Sequence, residues 1–221
     1  MQRLVDQSTL RRPRPASRTA TLLLTGFGPF PGAPINQTKP LVARLAERIR
    51  RRWPRLHVVT LILPTEWVRG PLLVEAALDR WQPDVALHFG VSGAAAGFDV
   101  EWVAENRVRA MKDAAGHLPD VPHLAMDAGR HVTSRASANR IHRHLRRNGH
   151  SCRLSHHAGR YLCNAVYYHS LNHAALNAPN RIVAFVHVPK RLRAELRLQG
   201  AMRIVEAALA AGGPALLRRV G

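Results

Sequence analysis

Apolar positions along this chain follow two periods. Thr21 to Thr25 and His57 to Leu63 are short apolar runs, and Asp84 to Phe89 is apolar almost throughout, as a parallel strand buried on both faces should be. Between them, apolar residues recur at helical spacing up to about Arg52, after a cap at Asn36 or Thr38, and again from Trp67 to Trp81. Strand, helix, strand, helix, strand in this order predicts a three-layer α/β/α sandwich around a mostly parallel mixed sheet.

Beyond Phe89 the pattern loosens. Gly90 to Gly97 reads as a flexible loop at a strand end, and Phe98 to Asn106 resumes an extended pattern in which period two would put Glu101, Val103 and Glu105 on one face. A carboxylate pair on such a strand needs a cationic partner or solvent for at least one member, and periodicity does not choose between the two. Met111 to Gly129 is a proline- and glycine-rich connection, read as a flap or an interface loop. A helix starting at Thr133 or Ser134 runs to about Asn148 with Gly149 as its stop, then Cys152 to Ser155 reads as a short strand. Leu162 to Leu176 has helical spacing, Arg181 to Val188 is the clearest strand, and Leu192 to Ala211 is a covering helix.

Composition narrows the class. The chain has 221 residues, enough for one sizeable core, and we read residues 20–221 as a single α/β domain behind a basic leader at 1–19 that holds five arginines and one aspartate. The net charge of +19 raises a nucleic-acid or anionic-surface partner. Against it, aromatics are 5% and no basic-aromatic stacking pattern or nucleic-acid motif occurs, so a solvated arginine-rich surface is the expectation. Two cysteines, Cys152 and Cys163, make neither a disulfide framework nor a metal knuckle and suit a reducing compartment, the cytoplasm. No apolar stretch is long enough to cross a bilayer. His142 and His144 are two apart, which points them to different helix faces among arginines, so no metal site is expected there.

Candidate chemistry gathers at strand ends. Cys163 lies where an extended segment turns into a helix, and the unpaired N–H groups and positive dipole end there favour a thiolate. The alternative is a small buried residue. His187 closes the Arg181 to Val188 strand, at the edge where α/β enzymes keep their chemistry, although for a lone histidine a satisfied core position is the first reading. With Glu101 or Glu105 these supply a nucleophile, a base and an orienting acid. Phe27 and Phe30 sit in the glycine-rich loop after the first strand, as core plugs or pocket walls.

Several motifs, in order, resemble those of the pyroglutamyl peptidase I family. They are Thr25-Gly-Phe-Gly-Pro-Phe30, Gly90-Val-Ser-Gly93, Glu101 with Asn106, Ala158-Gly-Arg-Tyr-Leu-Cys163 with Tyr167-Tyr168, and Phe185-Val-His-Val-Pro189. The resemblance implies a cysteine peptidase that removes an N-terminal pyroglutamyl residue from small peptides, commonly homo-oligomeric and needing no metal or cofactor. It implies Cys163 as nucleophile, His187 as base and Glu101, rather than Glu105, as orienting acid. Phe27 and Phe30 become walls around the lactam ring, with Tyr161, Leu162 and Val91 as further substrate-binding positions. Val91 stands where many relatives have glutamine, and Trp102 follows the glutamate where arginine is frequent. Two readings compete with the peptidase: a weakly catalytic relative that binds modified N-termini, and a basic polyanion binder on the same fold.

Overall fold

The computed structural model describes residues 18–30, 34–125 and 129–221. The basic leader expected over 1–19 therefore lies outside the described residues, apart from Arg18 and Thr19, as do parts of the loops expected at 26–32 and 111–129. The chain runs β1 (Thr21–Phe27), α1 (Thr38–Arg52), β2 (His57–Leu63), α2 (Arg69–Trp81) and β3 (Val85–Ser92). Then come β4 (Phe98–Glu101), β5 (Val103–Glu105), β6 (His131–Thr133), α3 (Arg135–Arg147) and β7 (Cys152–Ser155). The last elements are α4 (Leu162–Asn177), β8 (Ile182–Pro189), α5 (Ala194–Ala211) and α6 (Gly213–Val220).

Six strands form one sheet in the order β2-β1-β3-β8-β4-β7. All neighbours are parallel except β4 and β8, so the sheet is mixed but mostly parallel. Helices cover both faces, which is why the central strands carry unbroken apolar runs: all seven residues of β1 are buried. One face packs Leu22, Leu24, Leu87 and Val186 against α1, α3, α5 and α6. The other packs Leu23, Ala86, Val183 and Phe185 against α2 and α4. The expected three-layer sandwich is the architecture found, with β5 and β6 adding a small antiparallel ribbon.

Three departures from the sequence reading matter for the site. β3 does not stop at Phe89; Gly90, Val91 and Ser92 continue it, opposite His187, Val188 and Pro189. The extended run after Phe98 breaks at Trp102, whose N–H donates to Ser155 and whose carbonyl accepts from Ser134. Glu101 and Glu105 therefore belong to different sheets and share no face. The connection after Asn106 carries no helix or strand among its described residues, yet it is tied down. Asp113 accepts from the N–H groups of Trp67, Ala115 and His117, and Asn106 accepts from those of Leu124 and Ala125.

Candidate active site

The carboxyl ends of β8 and β4 and the start of α4 meet on the face covered by α2 and α4. On β8, Phe185 and His187 point to that face, and on antiparallel β4 their partners are Glu101 and Asp99. Gly90 makes room, because a Cβ at that position would lie 2.9 Å from both the His187 ring and the Phe185 ring. Its place in the Gly90-Val-Ser-Gly93 motif thus has a packing cause: only glycine lets β3 pass beneath those two rings.

His187 Nδ1 donates to Glu101 Oε1 at 2.8 Å, with side-chain exposures of 13% and 1%. Glu101 Oε2 is also buried and has no hydrogen-bond partner, so among the described residues the imidazole is the only one this carboxylate has. Burial works against an imidazolium here. The negative charge of Cys163, the hydrogen bond between the two side chains, and the hydrogen bond and charge of Glu101 outweigh it, pushing the His187 pKa up to about 10. The imidazole thus interacts with both the thiol and the carboxylate, and the structure brings Cys163, His187 and Glu101 together.

Cys163 is the second residue of α4, half-buried against the cluster that also holds Val108 and Tyr161. Tyr161 precedes the helix in extended conformation, so the first-turn N–H groups have no intrahelical acceptor. Gly159, at φ +76°, makes the turn that aims the chain into the helix. Two neighbours on α4, Asn164 and Tyr167, to which the sequence reading assigned no role, hold the surroundings. The Asn164 carboxamide accepts from the Glu105 N–H and donates to the carbonyls of Glu105 and Arg107, clamping that segment beside the thiol. The Tyr167 hydroxyl donates to the Glu101 carbonyl and is hydrogen-bonded to Ser134, pinning the end of β4. Tyr167 belongs to the Cys163 motif and Asn164 directly follows Cys163, and a polar residue on an otherwise apolar helix face was the available signal.

The remaining candidates take distinct places. The Phe30 ring is 6.4 Å from Tyr161, which also meets Trp67 edge-on at 5.1 Å. Tyr161 donates to the Lys112 carbonyl, and burial with the charges of Asp113 and Cys163 raises its pKa, so the phenol keeps its proton. Phe27 is 2% exposed and packs on Phe185, and Leu162 is 0% exposed and faces α2. Val91 pairs with Val188, so strand alternation puts it on the face opposite His187. Glu105, on the separate β5–β6 ribbon, is held by Arg160 at 2.9 Å and lies 3.7 Å from His157. Cys152, on β7, donates to the His142 carbonyl, and burial raises its pKa.

A thiol beside an imidazole that a buried carboxylate holds, at strand ends of a three-layer sandwich, defines a class: the thiol hydrolases. The profile of the pyroglutamyl peptidase family matches residues 20–196. A pyrrolidone-carboxylate peptidase of Pyrococcus furiosus is 30% identical over 169 residues, 76% of this chain and 80% of the relative. One from Vibrio vulnificus is 31% identical over 170 residues, 76% of this chain and 77% of the relative. Among solved structures, a mutant pyrrolidone carboxyl peptidase of Pyrococcus furiosus matches with TM-score 0.78 at 26% identity, covering 86% of this chain and 98% of that one. The pyroglutamyl peptidase I of Bacillus amyloliquefaciens shares the fold, with TM-score 0.77 at 23% identity over 86% of this chain and 97% of that one. The chain belongs to the pyroglutamyl peptidase family and is a hydrolase.

Proposed function

We propose that the protein removes the N-terminal pyroglutamyl residue from peptides by thiol catalysis, with Cys163 as nucleophile, His187 as proton carrier and Glu101 as the group that orients His187. The observation that carries this is the hydrogen-bonded line from Cys163 through His187 to Glu101 in a chain of this family. The Cys163 thiolate adds to the pyroglutamyl carbonyl. The oxyanion formed is held by backbone N–H groups of the first turn of α4. Protonated His187 gives its proton to the departing amine, the C–N bond breaks and a thioester remains. Water then attacks the thioester as His187 takes up its proton, releasing pyroglutamate and the thiol. Throughout, the Nδ1 hydrogen bond to Glu101 keeps Nε2 turned to the sulfur.

Pyroglutamate is a small neutral lactam, so it suits an aromatic slot better than a charged pocket. Phe30 and Tyr161 form its sides, with Phe27 and Leu162 packed behind them. Val91, on the opposite face of β3, has no part in this slot.

The catalytic domain begins at residue 20, where the family match also starts. The enzyme acts in the cytoplasm, a setting supported by its two free thiols. It works as a homo-oligomer, supported by Val68 and Leu72, 58% and 57% exposed and four residues apart at α2. The test is hydrolysis of a pyroglutamyl fluorogenic amide under reducing conditions by wild type and Cys163→Ala. Wild type should be faster by on the order of 10³-fold or more; equal rates would remove the peptidase reading.

A further inference from the structure

The wall beside Cys163 is cationic, and its carboxylates are already engaged. Segment 105–112 lies along residues 160–164, tied by the Arg109 N–H to the Arg160 carbonyl, by Tyr161 to the Lys112 carbonyl and by Asn164 to Glu105 and Arg107. It presents Arg107, Arg109 and Lys112 as exposed side chains, none with an ion-pair partner among the described residues. Glu105 is turned inward, 12% exposed, and is paired with Arg160 at 2.9 Å. Asp113 is 4% exposed and spends its oxygens on three backbone N–H groups. Lys112 lines a cleft of about 660 Å³ in which Glu66 is paired with Arg69 and Asp120 is a carboxylate with no ion pair among the described residues, so the charge of Lys112 is partly offset. Arg107 and Arg109 have no ion-paired carboxylate among the described residues and do not line that cleft, so they set the local field.

Resting on the peptidase reading, we propose that Arg107 and Arg109 select pyroglutamyl peptides with acidic residues after the scissile bond. The pyroglutamyl ring is neutral and occupies the aromatic slot, so discrimination by charge falls to the departing peptide, which must leave past this wall. Long cationic side chains at an exposed rim act through space, raising the local concentration of an anionic substrate and failing to do so for a cationic one. The effect belongs in KM and kcat/KM, and salt screens it.

The experiment compares three peptides that differ only after pyroglutamate, with Glu-Glu, Ala-Ala or Lys-Lys there, in wild type and in Arg107→Glu and Arg109→Glu. The Ala-Ala peptide is the internal reference for every variant. At about 20 mM salt the wild type should prefer the acidic over the basic peptide by about tenfold in kcat/KM, the preference shrinking several-fold at about 0.5 M. Each charge reversal should lower or invert the ratio through KM, whereas Arg51→Glu, exposed in the last turn of α1 on the far face, should leave it as in wild type. Equal rates on the three peptides, or a ratio that Arg51→Glu changes as much as Arg109→Glu does, would overturn the proposal and leave the peptidase reading intact. Cleavage of none of them would overturn both.

Discussion

His88 and His187 flank the same phenylalanine. The Phe185 ring lies 6.2 Å from the first imidazole and 5.0 Å from the second, on the face of the sheet covered by α2 and α4. Both rings are deeply placed, and both have two side-chain partners. Those of His88 are hydroxyls, Thr25 at 2.8 Å and Ser170 at 2.9 Å, which satisfy a neutral imidazole and bring no charge. Burial therefore acts unopposed and pushes the His88 pKa down to about 3. Across Phe185 the partners are a thiol and a carboxylate, and the direction reverses, to about 10. Depth in the sheet does not set a histidine's proton affinity; the charge of what it touches does, and that charge is available at the strand ends.

The largest test of this contrast is catalytic. His187→Ala should lower kcat/KM by on the order of 10³-fold, because both proton transfers lose their carrier. His88→Asn should leave the kinetic constants near wild type and cost stability instead, about 1–3 kcal/mol in urea unfolding, for broken buried hydrogen bonds. Comparable activity losses in both variants would erase the distinction.

Next in size is Glu101→Gln, with an expected fall of about 10²-fold in kcat/KM. Removing that charge and its hydrogen bond lowers the His187 pKa, so the alkaline limb of the pH profile should move down from its wild-type place near 10. An unmoved limb would mean that Glu101 does not act through His187.

The two histidines also load stability in opposite directions. His88 has its folded pKa near 3 and its ordinary value at 6.5, so the unfolded chain binds the extra proton between them and stability falls as pH drops through that window. For His187 the folded chain binds it between 6.5 and about 10, so its contribution is full below 6.5 and lost as pH rises through 10. Each slope is at most about 1.4 kcal/mol per pH unit, and unfolding midpoints of His88→Asn and His187→Ala against pH should flatten one window each. The smallest effect is that of Cys152→Ala, with unchanged kinetics and a stability change of about 1 kcal/mol or less.

The regular parts of this fold were legible from periodicity. β2 and β7 run over the residues expected, and Cys163 does stand at a helix start. What periodicity missed depended on contacts between strands. Gly90 reads as a breaker along the chain, yet it sits within β3 because two rings of β8 need its missing side chain. Glu101 and Glu105 look equivalent until Trp102 ends one strand and starts the next in another sheet. The covering helix was expected to end at Ala211, as α5 does, but a further helix, α6, follows with proline in its first turn. The ordered motifs supplied the choice of Glu101 without its reason, which is the diagonal reach from β4 to the β8 imidazole.

Cys152 and Cys163, eleven residues apart, pose the central claim as one question: which sulfur carries the acyl group. Rapid acid quench during turnover of a pyroglutamyl ester, followed by peptide mass mapping, answers it. The account predicts one pyroglutamyl group per chain, on the peptide bearing Cys163, absent from Cys163→Ala. Pyroglutamate on Cys152, or full turnover by Cys163→Ala with no acylated thiol, would contradict it.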